Sequence, residues 1–208
     1  MIAIIGGTGK QGMGLAMRFC IAGERVIIGS RNAEKAKKAS EIIKEKIKDA
    51  NVIGLTNEEA TERGDIIIVS VPYKALKNIL KSIKPFLKED HVVVDVTVPL
   101  DGDISESASE MARKILPHYV KLVSAFKNAS AKSLLDTEKP VDSDIIVCGD
   151  DKKSKEKIME LAEKIDGVRA IDGGSLKNSR IVEGITSLLM DINKRYKGHA
   201  GIRITGIQ

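Results

Sequence analysis

The stretch "IIGGTGKQGMG", residues 4–14, decides how the rest of the chain is read. Ile2 to Ile5 is an apolar run of strand length, and Gly9 to Ala22 carries apolar residues at helical spacing. Gly7, Gly9 and Gly12 therefore fit G-x-G-x-x-G between a strand and the mouth of a helix, the context that gives this motif its meaning. In such a turn Gly7 permits the tight bend, Gly9 removes the side chain that would block a pyrophosphate, and Gly12 lets the helix pack closely on the strand. The first N–H groups of the helix have no backbone partner and face the phosphates.

Outward from this turn, short apolar runs alternate with longer amphipathic stretches, the pattern of parallel strands buried under crossover helices. Strands are predicted at 24–29, 51–55, 65–71, 91–99 and 119–126, with helices between them, including one over 104–116. Thr56 and Glu59 have the spacing of a capping box. Pro72 and Pro99 each stop a strand, since proline cannot donate to a ladder. These runs give six strands in the doubly wound order. A helix at 129–136, a strand at 144–150, a helix at 152–165, a strand at 168–172, a long helix over 176–194 and a last strand, "GIRITGI" at 201–207, follow. The fold class is α/β, a Rossmann-type doubly wound parallel sheet over residues 1–140 with a small C-terminal α+β lobe over 141–208.

The second predicted strand ends in "VIIGSRNAEK", residues 26–35, where an NAD site would place an Asp or Glu against the ribose hydroxyls. Ser30 and Arg31 stand there instead, with Lys35 one helical turn on. A carboxylate would repel a 2'-phosphate, whereas a hydroxyl, a guanidinium and an ammonium all donate to it, so the site is expected to bind NADP. Two charge-assisted bonds at roughly 1.5 to 3 kcal/mol each predict a preference over NAD on the order of 100-fold if the site is shielded from water.

Composition sets bounds on function. The 208 residues are 42% hydrophobic and 30% charged, the profile of a globular chain with a core of its own. No run approaches the roughly 20 apolar residues that cross a bilayer, and Met1 to Gly6 enters a strand at once with no signal-peptide pattern, so a cytoplasmic location without membrane contact is expected. The two cysteines, Cys20 and Cys148, sit in apolar pattern and read as buried thiols. The net charge of +5 with only 3% aromatic residues, and lysines alternating with glutamates along helices, fits a solvated surface or a small polyanionic ligand and speaks against a nucleic-acid partner.

Ligands of such sheets bind outside the carboxyl ends of the strands. The segments there are "SVPYKAL" (70–76), "TVPLDGD" (97–103) and "SAFKNAS" (124–130), so Pro72, Tyr73, Pro99, Leu100 and Phe126 to Ala129 are expected to line a mainly apolar cleft, with Lys127 and Asn128 as polar points. His91, His118 and His199 all fall away from these strand ends. No Ser, Tyr and Lys arrangement of the short-chain kind and no metal-ligand cluster appears, so no catalytic side chain is assigned. Hydride passed between two redox heterocycles needs alignment and exclusion of water more than an acid or base.

On the blocks "IIGGTGKQGMGLAMR", "VIIGSRNAEKA", "VSVPY", "VSAFKNASA", "PVDSDIIVCGDD", "EKIDGVRAIDGGSLKNSRIVEGIT" and "GIRIT", the chain resembles the NADP oxidoreductases that use coenzyme F420, an 8-hydroxy-5-deazaflavin with a polyglutamate tail. The resemblance implies that Thr8, Gly9, Lys10 and Gln11, then Ser30, Arg31 and Lys35, hold NADP, with Tyr73, Lys77 and Leu100 near its other half. It further implies that the deazaflavin stacks on the nicotinamide beside Pro99, Phe126, Asn128 and Ala131, closed by the chain around Ala200. Some members carry His-Thr-Ile where this chain has Lys127-Asn128-Ala129, which leaves room at Ala129 and puts at Lys127 a cation able to attract an anionic ring or tail. The function implied is hydride transfer between reduced coenzyme F420 and NADP. Two other readings stay open: an NADPH-dependent reductase of a small imine or 3-hydroxy acid, since "GGSLKNSRIVE" is similar to the Lys-containing helix of hydroxyacid dehydrogenases, and a non-catalytic NADPH sensor. The apolar pattern "IVEGITSLLMDI" (181–192) fits either pairing of two copies in a homodimer or burial within its own lobe.

Overall fold

Runs of β-branched residues buried on both faces form the middle of the sheet. In β1 (Ile2–Ile5), β4 (Ile66–Val69) and β5 (Val92–Asp95) every residue is buried, as parallel strands covered by helices on both sides require. The computed structural model describes residues 1–99 and 106–207. Among these, β2 (Val26–Ser30), β3 (Val52–Thr56), β6 (Lys121–Ser124), β7 (Ser143–Gly149) and β8 (Val168–Asp172) complete one sheet in the order β3-β2-β1-β4-β5-β6-β7-β8. The strands run parallel except that β7 is antiparallel to β6, joined only through Val123 with Gly149 and Ser124 with Cys148. Beyond the six strands of the doubly wound order, β7 and β8 continue the same sheet as a parallel pair.

Helices cover the two faces. On one side α1 (Lys10–Ile21), α2 (Ala33–Lys46), α6 (Ala131–Leu135) and α7 (Lys152–Glu163) enclose Ile4, Phe19, Ile28, Ile68 and Val94. On the other, α3 (Asn57–Arg63), α4 (Tyr73–Ile83) and α5 (Ala108–Ile115) enclose Ile5, Ile67, Leu76, Leu80 and Val93. The capping box opens α3 as predicted: Thr56 Oγ1 accepts the Glu59 N–H, and the Glu59 carboxylate accepts the Thr56 N–H at 3.0 Å. A second box, Ser107 with Glu110, opens α5. The predicted helix over 104–116 is seen as 108–115, its first two residues lying outside the described ones.

The long C-terminal helix is present as a short 3-10 turn, Leu176–Asn178, leading into α8 (Ser179–Tyr196). The last predicted strand is not one. Residues 201–207 lie beside the start of β7 without a ladder: the Asp144 N–H donates to the Ile202 carbonyl at 2.7 Å. The Asp144 carboxylate takes the Ile204 N–H at 2.6 Å and Ser143 Oγ takes the Ile202 N–H at 3.2 Å. Side chains take the Ile202 and Ile204 N–H groups that a strand partner would use, so the alternating pattern of "GIRITGI" serves to anchor the segment and not to pair it.

Candidate functional site

The chain reverses direction across the sheet between β1 and β4, and the turn after β1 lies at that switch point. Gly6, not Gly7, makes the tight bend: its φ is +72°, and a Cβ there would stand 2.7 Å from the Ser70 carbonyl. Gly7 is required for close approach, since its Cβ would meet the Ile4 carbonyl at 2.8 Å. Gly12 packs on Gly7, with a Cβ only 2.7 Å from the Gly7 Cα. Gly9 differs from all three, because a Cβ there meets nothing closer than the Gly6 carbonyl at 3.6 Å. Protein packing does not demand glycine at this position, but a molecule lying over the loop would. Gly9 is also the N-cap of α1, with no side-chain cap and no acidic residue in the first turn, so the helix presents bare N–H groups to the same space.

Two cavities meet over Gly9, Ser70, Val71 and Pro72. The first, about 500 Å³, runs over the end of β2 and is lined by Thr8, Ser30, Arg31, Asn32 and Lys35, with Ala75 and Ile79 of α4 opposite. Among the described residues no carboxylate lines it. Ser30 is buried and its hydroxyl accepts the Asn32 N–H at 3.2 Å, while Asn32 caps α2 by accepting the Lys35 N–H at 3.0 Å. Arg31 and Lys35 stand exposed at the rim. Asn57, which the sequence reading did not single out, is buried and accepts the Gly6 N–H at 3.2 Å, fixing the bend.

The second cavity, about 490 Å³, lies over the ends of β4, β5 and β6 under α8. Val71, Pro72, Val96, Val98, Ala129, Ala131, Leu189 and Met190 give it apolar walls, Lys10 and Lys132 stand among its lining, and Ala200 closes one side. Among the described residues its lining contains no Asp, Glu, His, Cys or Tyr. Gln11 is also in its lining, with its side-chain amide donating to the Phe126 carbonyl at 3.1 Å. Asn128 is buried: its amide donates to the Asp144 carbonyl at 2.6 Å and accepts the Ile146 N–H at 3.3 Å, tying this loop to β7.

Lys127 does not reach the cavity with its charge. Its ammonium is fully enclosed, 2.6 Å from Asp95 and 3.0 Å from Glu183, and also donates to the Thr97 carbonyl. Asp95 is further held by the Ser109 hydroxyl at 2.7 Å and the Thr97 N–H at 3.0 Å. Glu183 accepts the Ala108 N–H at the start of α5 at 3.1 Å. Burial pushes the Glu183 carboxyl above the ordinary carboxylate range, against the pull of the Lys127 ammonium. The expectation of Lys127 as an attractor for an anionic ring or tail is therefore replaced: a buried cation with two carboxyl partners has no charge left to offer. Asp95 and Glu183 were missed, although a single acid inside "VVVDV" and another on the apolar face of "IVEGITSLLM" are the available signals.

Other sequence-predicted residues among the described ones line neither cavity. Tyr73 donates to the Glu106 carbonyl at 3.3 Å and Lys77 is exposed on α4. Pro99 is buried, and Leu100 lies outside the described residues. The Phe126 ring is fully buried edge-on to Phe19, with centroids 6.0 Å apart, and its φ of +58° turns the chain so that the carbonyl and not the ring faces Gln11. His91 is buried and its Nδ1 accepts the Lys88 N–H at 3.2 Å, whereas His118 and His199 are exposed. Cys20 and Cys148 are buried free thiols, each held up at about 11 chiefly by burial.

Over residues 1–99 the sequence matches the family model described as "NADP oxidoreductase coenzyme F420-dependent". It is 44% identical to the F420-dependent NADP reductase of Methanocaldococcus jannaschii, a match covering 100% of this chain and 99% of that protein. The chain belongs to the coenzyme F420-dependent NADP oxidoreductase family. The F420-dependent NADP reductase of Methanothermobacter thermautotrophicus is 45% identical over 99% of this chain and 95% of its own length, so this family likeness runs through α8 and the segment after it. A crystal structure of an Arthrobacter protein superposes with a TM-score of 0.83 over 99% of both chains at 17% identity, which shows a shared fold.

Proposed function

We propose that this protein catalyses reversible hydride transfer between reduced coenzyme F420 and NADP. The observation that carries the reading is the pair of cavities joined at Gly9 and Pro72: among the described residues one is lined by cations and no carboxylate, and the other has apolar walls with no Asp, Glu, His, Cys or Tyr. The space over Gly9 fits a pyrophosphate, because a Cβ built there meets no protein atom closer than 3.6 Å and the uncapped start of α1 opens onto the same space. When bound, the nicotinamide and the deazaflavin supply the hydride donor and acceptor themselves.

The chain's own residues bind, orient and keep water out. The N–H groups of Lys10, Gln11 and Gly12 hold phosphate oxygens at the start of α1, while Gly7 and Gly12 keep the loop low enough to let them approach. Ser30, Arg31 and Lys35 donate to the 2'-phosphate, with Thr8 beside them. Val71, Pro72, Val96 and Ala129 form the dry surface on which two rings are aligned, and the backbone of Asn128, Ala131 and Ala200 completes its border. Phe126 acts through its carbonyl, which orients Gln11. Residues 1–140 would form the NADP-binding part, and 141–208 would complete the deazaflavin cleft through α8 and Ala200. No helix among the described residues is long and apolar enough to cross a membrane, and two unpaired buried thiols suit a reducing, cytoplasmic setting. A homodimer is proposed through α8, where Ile181, Leu188 and Tyr196 are 64%, 60% and 81% exposed; sedimentation as a monomer at micromolar concentration contradicts this.

The test is to mix protein, NADPH and oxidised coenzyme F420 and follow the deazaflavin absorbance. Bleaching supports the reading. Tight NADPH binding without bleaching points to a sensor, and turnover only with an imine or keto acid points to the small-substrate reductase.

A further inference from the structure

α8 forms one wall of the second cavity through Thr186, Leu189, Met190 and Asn193, yet little apolar burial holds it there. Of its eighteen residues only Val182 and Leu189 are buried apolar ones, beside buried Ser179 and Glu183. Its attachments are polar and repeat about once per turn. Ser179 Oγ pairs with Ser107 Oγ at 3.3 Å, Arg180 with Glu110 at 2.8 Å, Glu183 with Lys127 at 3.0 Å, and Thr186 Oγ1 donates to the Lys127 carbonyl at 3.1 Å. Arg180 with Glu110 is partly exposed and fixes little. The enclosed pair is different, because a buried hydrogen-bonded ion pair tolerates almost no change of geometry.

Lys127 spans the cleft from below. One bond runs to Glu183 on α8, one to Asp95 at the end of β5, and one to the carbonyl of Thr97, itself in the lining of the opposite wall. The ammonium thus ties the helix wall to the strand-end wall through a single atom. Resting on the function proposed above, we propose that Glu183, acting through Lys127, is a positioning residue for hydride transfer: the enclosed Asp95, Lys127 and Glu183 set fixes the separation of the two cleft walls, and with it the approach of the two rings. No bond to either cofactor is required of it. None of the three side chains lines the first cavity, so NADP binding through the glycine loop and Ser30 is independent of the set.

The experiment compares full-length wild type with Glu183→Gln and Glu183→Ala in three readouts: NADPH dissociation constant, melting temperature, and kcat for deazaflavin reduction well below melting. Gln keeps the size and still accepts the Ala108 N–H or the Lys127 ammonium, but not both with full charge. The expected result is an unchanged NADPH constant in both variants, with kcat down on the order of 10-fold in Gln and about 100-fold in Ala, the scale of a misplacement near 1 Å. A lower melting temperature with wild-type kcat in both variants makes the set merely structural and overturns the proposal. Parallel losses of NADPH affinity and kcat also overturn it, since the damage then reaches the whole site. If wild type itself passes no hydride to the deazaflavin, the functional reading fails first and takes this proposal with it.

Discussion

Replacing Arg31 with Ala separates a 2'-phosphate site from a merely basic surface. The guanidinium stands at the rim of a cavity with no carboxylate among its described lining residues, beside the buried Ser30 hydroxyl and the exposed Lys35 ammonium. A charge-assisted hydrogen bond contributes roughly 1.5 to 3 kcal/mol, and exposure places Arg31 at the lower end of that range. About 1.5 kcal/mol corresponds to roughly a 10-fold loss. Arg31→Ala is therefore expected to raise the Michaelis constant for NADPH about 10-fold and to leave that for NADH nearly unchanged. The α2 cap is independent of this side chain, because Asn32 accepts the Lys35 N–H, so the melting temperature should not move. The effect should also shrink as salt rises, since the contact is exposed. Steady-state kinetics with both nucleotides at two ionic strengths reads all of this. Equal changes in the NADPH and NADH constants would refute the assignment, as the only chemical difference between the two ligands is the phosphate.

Gly9→Ala adds a methyl that meets no protein atom within 3.4 Å. Thermal stability should hold while NADPH affinity falls about 10-fold or more from a clash of roughly 1 to 3 kcal/mol; an unchanged dissociation constant by titration calorimetry contradicts the pyrophosphate placement. The Asp144 carboxyl is drawn down to about 2, chiefly by Arg169, then by the Ile204 N–H and Arg203. Because the folded value lies below the ordinary 3.8, its stabilisation is full above that pH and disappears as pH falls through about 2. Asp144→Asn should reproduce the acid effect at neutral pH: faster hydrogen exchange at the Ile202 and Ile204 amides and a higher Michaelis constant for the deazaflavin, with NADPH binding intact. Unaltered exchange at Ile204 would mean that the segment is held by something else.

The sheet was legible because its central strands are buried on both faces, and a run such as "IIIV" or "VVVD" has no other comfortable setting in a chain of this composition. The helix starts were legible where a cap was written in side chains, at Thr56 with Glu59. The bend after β1 was read one residue late, since two adjacent glycines fit the turn and only the backbone shows that Gly6 takes positive φ. The segment at 201–207 misled because alternation also serves a chain pinned by Asp144 and Ser143, and periodicity carries no record of which groups accept its N–H bonds. At the site, the cavity ends of the strands were found, but the direction of each side chain was not. Lys127, Asn128 and Phe126 all turn inward, so the wall they form is largely backbone and small apolar groups. Pairing Lys127 with Asp95 and Glu183 depends on contacts between residues far apart in the chain, which one sequence does not display.

Two rings that meet in one dry cleft must pass the hydride without exchange with solvent, and label transfer reads this. NADPH deuterated at the transferred position of the nicotinamide is mixed with protein and oxidised deazaflavin in ordinary water, and the reduced product is weighed by mass spectrometry. Direct transfer leaves one deuterium on each reduced deazaflavin. Product that carries hydrogen from water instead would mean that the rings never touch and that no direct hydride transfer occurs.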